Sequence, residues 1–126
     1  MKNILAFGDS NTWGLIPGTK ERYPYEKICL DIAELFIPSE RILLISPILL
    51  GENIWQDDKD PEFDISSAQV CKKLKDVYGK IAARRGNMFM AASDIVTASE
   101  TDDEHLDEEG HKKLAGQISF SYISNF

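Results

Sequence analysis

The sequence predicts an α/β protein with a small parallel sheet and flanking helices. Three observations lead there. Short, unbroken apolar runs suited to strands buried on both faces alternate with segments of helical period. The order reads β-loop-α-β-loop-α-β-loop-α, and such alternation builds parallel sheets covered by helices. The 126 residues, 43% of them apolar, suffice for one domain (1–126) with a real core and not for two.

The elements follow in order. Ile4–Phe7 is the first strand, and Gly8 permits a tight turn into Asp9, Ser10, Asn11 and Thr12, all good residues for starting a helix. "GLIPGTKERYPY" carries two Gly and two Pro and reads as a loop or a broken helix start. From about Tyr25 to Phe36 the residues Ile28, Ile32, Leu35 and Phe36 fall at helical spacing, and Pro38 stops the helix. Ile42–Ile45 is a second buried strand, ended by Pro47. "GENIWQDDKDPEFD" is polar and irregular. "ISSAQVCKKLKDVYGKIAARRG" is the clearest helix, with Val70, Cys71, Leu74, Val77, Tyr78, Ile81 and Ala82 on one face and Gly86 closing it. "MFMAASDIV" is a third strand. From Asp107, a plausible N-cap, the chain is helical again, with Leu114, Ala115, Ile118 and Tyr122 on one side.

Charge and composition exclude several classes. A formal net charge of −7 and a pI near 4.8 argue against binding nucleic acid or an acidic membrane surface. No stretch approaches the ~20 apolar residues of a membrane span, and no signal-peptide core is present. Cys29 and Cys71 lack metal-type spacing and read as buried thiols of a reducing compartment. A soluble cytoplasmic protein is the expectation.

The acidic run Asp58, Asp60, Glu62, Asp64 lacks the glycine and closing glutamate of a calcium loop, so it reads as a solvated loop. His105 and His111 lack H-E-x-x-H or thiolate spacing, so no metal and no cofactor is expected. Trp13 and Trp55 suit either an acyl pocket or ordinary packing.

A serine at a strand-to-helix turn lies at the carboxyl end of its strand, where open α/β sheets bind ligands. Ser10 occupies that place, although Ser and Asp there are also ordinary helix caps. A serine nucleophile needs a histidine base held by a carboxylate. His105 follows the last strand, and Asp102 stands three residues before it, a spacing that lets the carboxylate fold back onto the imidazole. His111 falls inside the last helix as a solvent-facing or packing residue. A phosphate loop at "GDSNT" is the weakest option, since Asp9 would repel phosphate.

These residues resemble a family at several points in the right order. "FGDSNTWG" is similar to the first block of the SGNH/GDSL hydrolases, and "TDDEHLDEEGHKKLA" to the last, an Asp-x-x-His followed by a helix. "GTKERYP" and "RILLISPILLGE" resemble the arylesterase/acyltransferase branch, so the likeness runs over nearly the whole chain. The resemblance implies a flavodoxin-like three-layer fold and a serine esterase acting on small esters. In it Ser10 is the nucleophile, His105 the general base and acid, and Asp102 its orienting partner; the absence of G-x-S-x-G disfavours an ordinary α/β-hydrolase.

The family's two middle blocks, a glycine and a Gly-x-Asn-Asp that supply oxyanion donors, have no counterpart. The chain therefore resembles a shortened form, reduced by two strand-helix units, on the order of 60 residues. The missing strands would flank the first one, so either the late strand moves beside it or a second chain covers the gap. A homo-oligomer is expected, with exchange of elements between copies as one route, because a strand-depleted monomer would leave a large apolar surface wet. For the oxyanion the Ser10 N–H remains. Gly51 and Asn53 of "GEN" follow the late strand, and serve as further donors only if that strand takes the vacant place. The alternative function is a catalytically impaired remnant that serves as a binding or assembly module.

Overall fold

A computed structural model of the chain describes residues 5–6 and 30–125, with side chains over residues 30–121. Its architecture is α/β: a small sheet with flanking helices. The elements are β1 (Leu5–Ala6), α1 (Asp31–Glu34), β2 (Leu43–Ser46), α2 (Ile65–Cys71), α3 (Leu74–Arg85), β3 (Met88–Ala91) and α4 (Glu108–Asn125). The sheet runs in the order β1-β2-β3. β1 and β2 are parallel, with Leu5 opposite Leu43 and Ala6 opposite Leu44. The late strand thus lies beside the first, the first of the two repairs expected for a sheet lacking its middle strands. The N–H of Met88 donates to the carbonyl of Ile42 at 2.9 Å as the chain enters β3.

The chain divides into two compact units, one of residues up to Ile45 with Tyr78–Met90, the other of Ser46–Val77 with the chain from Ala91 onward. In the first unit Leu30, Ile42 and Leu44 are fully buried and cluster with Ala33 and Ala82, flanked by Ile37, Tyr78 and Ile81. Full burial of a leucine or isoleucine is worth about 1.5–3 kcal/mol. Every residue of β2 is buried, its three apolar residues Leu43–Ile45 and the closing Ser46 alike.

Arg85, in the last turn of α3, ties α1 down. Its Nη1 lies 3.0 Å from Glu34 Oε2, and its Nη2 bonds Asp31 Oδ1. Asn87 Nδ2 donates to Glu34 Oε1 at 3.3 Å and to the Ser39 carbonyl at 3.0 Å.

Two expected apolar faces need correction. Ile32, Leu35 and Phe36 were expected to face the core, yet they are 53%, 76% and 77% exposed. The buried stripe is Leu30, Ala33 and Ile37, the same helical period turned by about half a turn. Ile28 lies outside the described residues.

The long helix expected from Ile65 to Gly86 is two helices. Lys73 donates to the Val70 carbonyl three residues back, a tightened turn between α2 and α3. Of the expected face, Val70 and Val77 are exposed, whereas Cys71 and Ala82 are buried. Gly86 closes α3 as expected: at φ 75° it lets the Asn87 N–H reach the Ala82 carbonyl at 2.9 Å.

In the second unit Ile54, Cys71, Ala91, Ala92, Val96 and Leu114 are buried. Cys71 is a buried free thiol whose Sγ donates to the Ile48 carbonyl at 3.4 Å. Cys29 lies outside the described residues. Asp64 caps α2 in a capping box with Ser67. Asp107 does the same work for α4, its Oδ1 accepting the Gly110 N–H at 2.7 Å. On α4, Leu114 is buried and Ile118 half-buried, whereas Ala115 is exposed, which narrows the expected stripe. Among the described residues no helix is long and apolar enough to cross a membrane.

Candidate functional site

β3 runs through a short helical turn, Ala92–Asp94, into the loop that carries Asp102 and His105. The loop turns back on itself by its own hydrogen bonds. The Ser99 N–H donates to the His105 carbonyl at 2.7 Å, and the Asp103 N–H to the Ser99 carbonyl at 2.8 Å. Asp103 adopts φ 57°, a left-handed conformation that aspartate tolerates better than most residues.

That turn divides the labour of the Asp102 carboxylate. Oδ1 accepts the N–H groups of Glu104 and His105, each at 3.0 Å. Oδ2 lies 2.8 Å from His105 Nδ1. The two backbone N–H groups, and then the imidazole, hold the Asp102 pKa down to about 2. The carboxylate is therefore ionised at neutral pH, so Nδ1 carries the hydrogen and Nε2 is the basic nitrogen of the neutral ring. The bond to Asp102 raises the His105 pKa above its usual value, and the charge of Glu104 adds to it. Glu104 Oε1 stands 3.7 Å from Nε2. The imidazole is 71% exposed, so it is accessible to a reacting group.

Beneath the pair lies a buried ion pair not anticipated from the residue spacing. Lys59 Nζ donates to the carbonyls of Glu100 and Thr101, each at 3.0 Å, and lies 3.3 Å from Asp103 Oδ2. Both side chains are nearly sealed from solvent, at 7% and 9% exposed. The signal was present in the sequence: Lys59 is the single cation in "DDKDPEFD". Nothing in that run says which carboxylate it meets 44 residues later.

Of the expected site residues, Asp102 and His105 come together. Ser10, with its N–H, lies outside the described residues, as do Asp9 and Trp13. Gly51 has another use than the oxyanion role expected of it: its N–H donates to the Asp103 carbonyl at 2.7 Å. A Cβ at Gly51 would collide with the Asp103 side chain. A donor engaged at 2.7 Å is not offered to a substrate, which corrects the expectation for Gly51. Asn53 is exposed, and its Oδ1 accepts from Gln56 Nε2 at 3.3 Å. Trp55 is 53% exposed with its indole N–H donating to the Glu52 carbonyl, and does not line a described pocket.

His111 is exposed on α4. In the acidic run, Asp60 Oδ1 accepts the Glu62 N–H at 2.9 Å, a local turn. Among the described residues no group of three or more His, Cys, Asp or Glu is placed to hold a metal ion. An open groove of about 990 Å³ is lined by residues 93–101 and the first turns of α4, without Asp102 or His105.

No family model matches the chain, and no curated protein matches it. A solved structure of a carbohydrate acetylesterase from Sinorhizobium meliloti is similar to it, with a TM-score of 0.58 and 24% identity. The match covers 68% of this chain and 39% of the acetylesterase, so the chain spans well under half of that protein's length. At this identity the likeness is one of fold.

Proposed function

We propose that the chain is an acyl hydrolase of the SGNH/GDSL type, acting on small esters through Ser10, His105 and Asp102. The observation that carries this is the Asp102–His105 pair, with Nδ1 held at 2.8 Å by an ionised carboxylate. Such a pair fixes the tautomer a serine hydrolase needs. The fold likeness to an acetylesterase supports the same reading, and makes a short acetyl ester the first substrate to try.

In this reaction the Ser10 hydroxyl attacks the ester carbonyl while His105 Nε2 takes its proton. The same proton passes to the departing alcohol, and water then releases the acid by the reverse route. The Ser10 N–H faces the negative oxygen.

A second reading is favoured by a specific observation. The Gly51 N–H, one of the expected oxyanion donors, is engaged by Asp103, and loss of one oxyanion donor costs ~10²–10³ in rate. A slow or inactive protein that binds or assembles through the same domain fits that finding. Assembly into a homo-oligomer belongs to both readings, as a way to cover a short sheet, and light scattering on the eluting protein tests it.

Hydrolysis of p-nitrophenyl acetate and of an acetylated sugar, compared with Ser10→Ala, decides between the two. Turnover abolished by the substitution supports the hydrolase. Equal rates for the two proteins overturn it.

A further inference from the structure

We infer that Lys59 is a positioning residue for the Asp102–His105 pair, clamping the loop that presents it. This rests on reading that pair as the base of an acyl hydrolase. Lys59 reaches the loop from the acidic segment 57–64, where it donates to two successive carbonyls and forms an ion pair with one carboxylate. The three acceptors belong to Glu100, Thr101 and Asp103, the residues that lead into and follow the Asp102 backbone. Asp103 is held from the other side as well: its carbonyl accepts the Gly51 N–H and its N–H reaches Ser99. Its left-handed backbone is thus pinned at the residue next to Asp102.

The chemistry of the clamp argues for position over stability. A buried ion pair typically gains little over apolar residues of the same volume, because desolvation consumes the Coulomb attraction. A single ammonium that donates to two carbonyls and pairs with a carboxylate ties all three groups to one point. The Asp102 pair itself is half to fully exposed, at 41% and 71% for the two side chains, and needs such an anchor to hold one geometry.

The test is the titration of His105, followed by its imidazole carbon-bound proton signals in NMR. The charged groups around His105 are Asp102, Glu104 and, more distantly, Asp60. Lys59→Met alone would leave the Asp103 carboxylate buried and unpaired, and its charge would disturb the reading. The variant of choice is therefore Lys59→Met with Asp103→Asn, which removes both charges and keeps a residue that tolerates φ 57°. If Lys59 positions the pair, the His105 pKa falls toward the 6.5 of a free imidazole. A His105 titration unchanged in a folded double variant overturns the inference.

Should the double variant not fold, the ammonium of Lys59 in the unaltered protein decides. A clamped ammonium gives a slowly exchanging proton–nitrogen signal, and exchange as fast as that of the other lysines overturns the proposal. Where turnover is measurable, kcat of the double variant falls at least about tenfold with KM little changed, within the ~10²–10⁴ that general acid–base catalysis contributes. Absence of Ser10-dependent hydrolysis refutes the enzyme reading alone, because the titration judges Lys59 without any substrate.

Discussion

Substituting Gly51 with alanine separates two roles for that residue. Alanine keeps the backbone N–H, so a residue needed only as a hydrogen-bond donor would tolerate the change. The structure demands more, because an added Cβ would lie 2.5 Å from both Cβ and Cγ of Asp103. The Asp103 Cβ is one bond from its backbone and cannot swing aside. That backbone is tied at 2.7 Å to Gly51 and at 2.8 Å to Ser99. Two escapes exist. The loop can shift as a body, an overpacking strain of about 1–3 kcal/mol. Otherwise the Asp103 backbone moves away from Gly51 and draws its carboxylate off Lys59, stranding the ammonium, which costs about 3–5 kcal/mol for a fully buried pair. The cheaper escape sets the outcome, so we expect a loss of about 2–3 kcal/mol. For a chain of this size that lowers Tm by roughly 6–15 °C. Urea unfolding followed by tryptophan fluorescence measures it, with the midpoint falling at unchanged slope. A Gly51→Ala protein within about 0.5 kcal/mol of the parent would refute the packing argument.

Two further predictions concern pH and the core. The folded pKa of Asp102 is depressed to about 2 from 3.8, so its contribution to stability is present above pH 3.8 and disappears as pH falls toward 2. The folded pKa of His105 is raised, so its contribution is complete below pH 6.5 and is lost as pH rises through the folded value. The stability difference between the parent and Asp102→Asn should therefore peak between about pH 4 and 6.5 and shrink with added salt, since both groups are well exposed. A difference independent of pH in denaturant titrations would sink this. In the core, Leu44→Ala should cost about 2–5 kcal/mol, whereas Phe36→Ser should stay within about 0.5 kcal/mol. Comparable losses at the two positions in thermal unfolding would contradict the placement of the α1 face.

The Asp102–His105 pair was legible from the sequence because its geometry is local. Three residues in a turn are enough to bring a carboxylate oxygen to Nδ1, and the flanking N–H groups come with the same turn. Gly86 and Asp107 were legible for the same reason, as helix boundaries are set by groups within a few residues. The strands were legible as unbroken apolar runs, and Ile42–Ile45 differs from the observed β2 by one residue at each end. The exposed Leu35 and Phe36 show where this stops. Helical period defines a stripe, but "ICLDIAELFI" offers two overlapping stripes, and only the packing partners Ile42, Leu44 and Ala82 select the one through Leu30 and Ala33.

What the sequence by itself determined was the alternation of strands and helices, the caps, and the carboxylate beside His105, all interactions among near neighbours along the chain. Tertiary structure alone decided the rest. It set the late strand beside the first, the engagement of the Gly51 N–H, and the meeting of Lys59 with Asp103. Each of these joins residues far apart in the chain. Such contacts form only where burial excludes water from both partners, and a buried ammonium or a buried strand edge takes whichever partner the fold brings within reach.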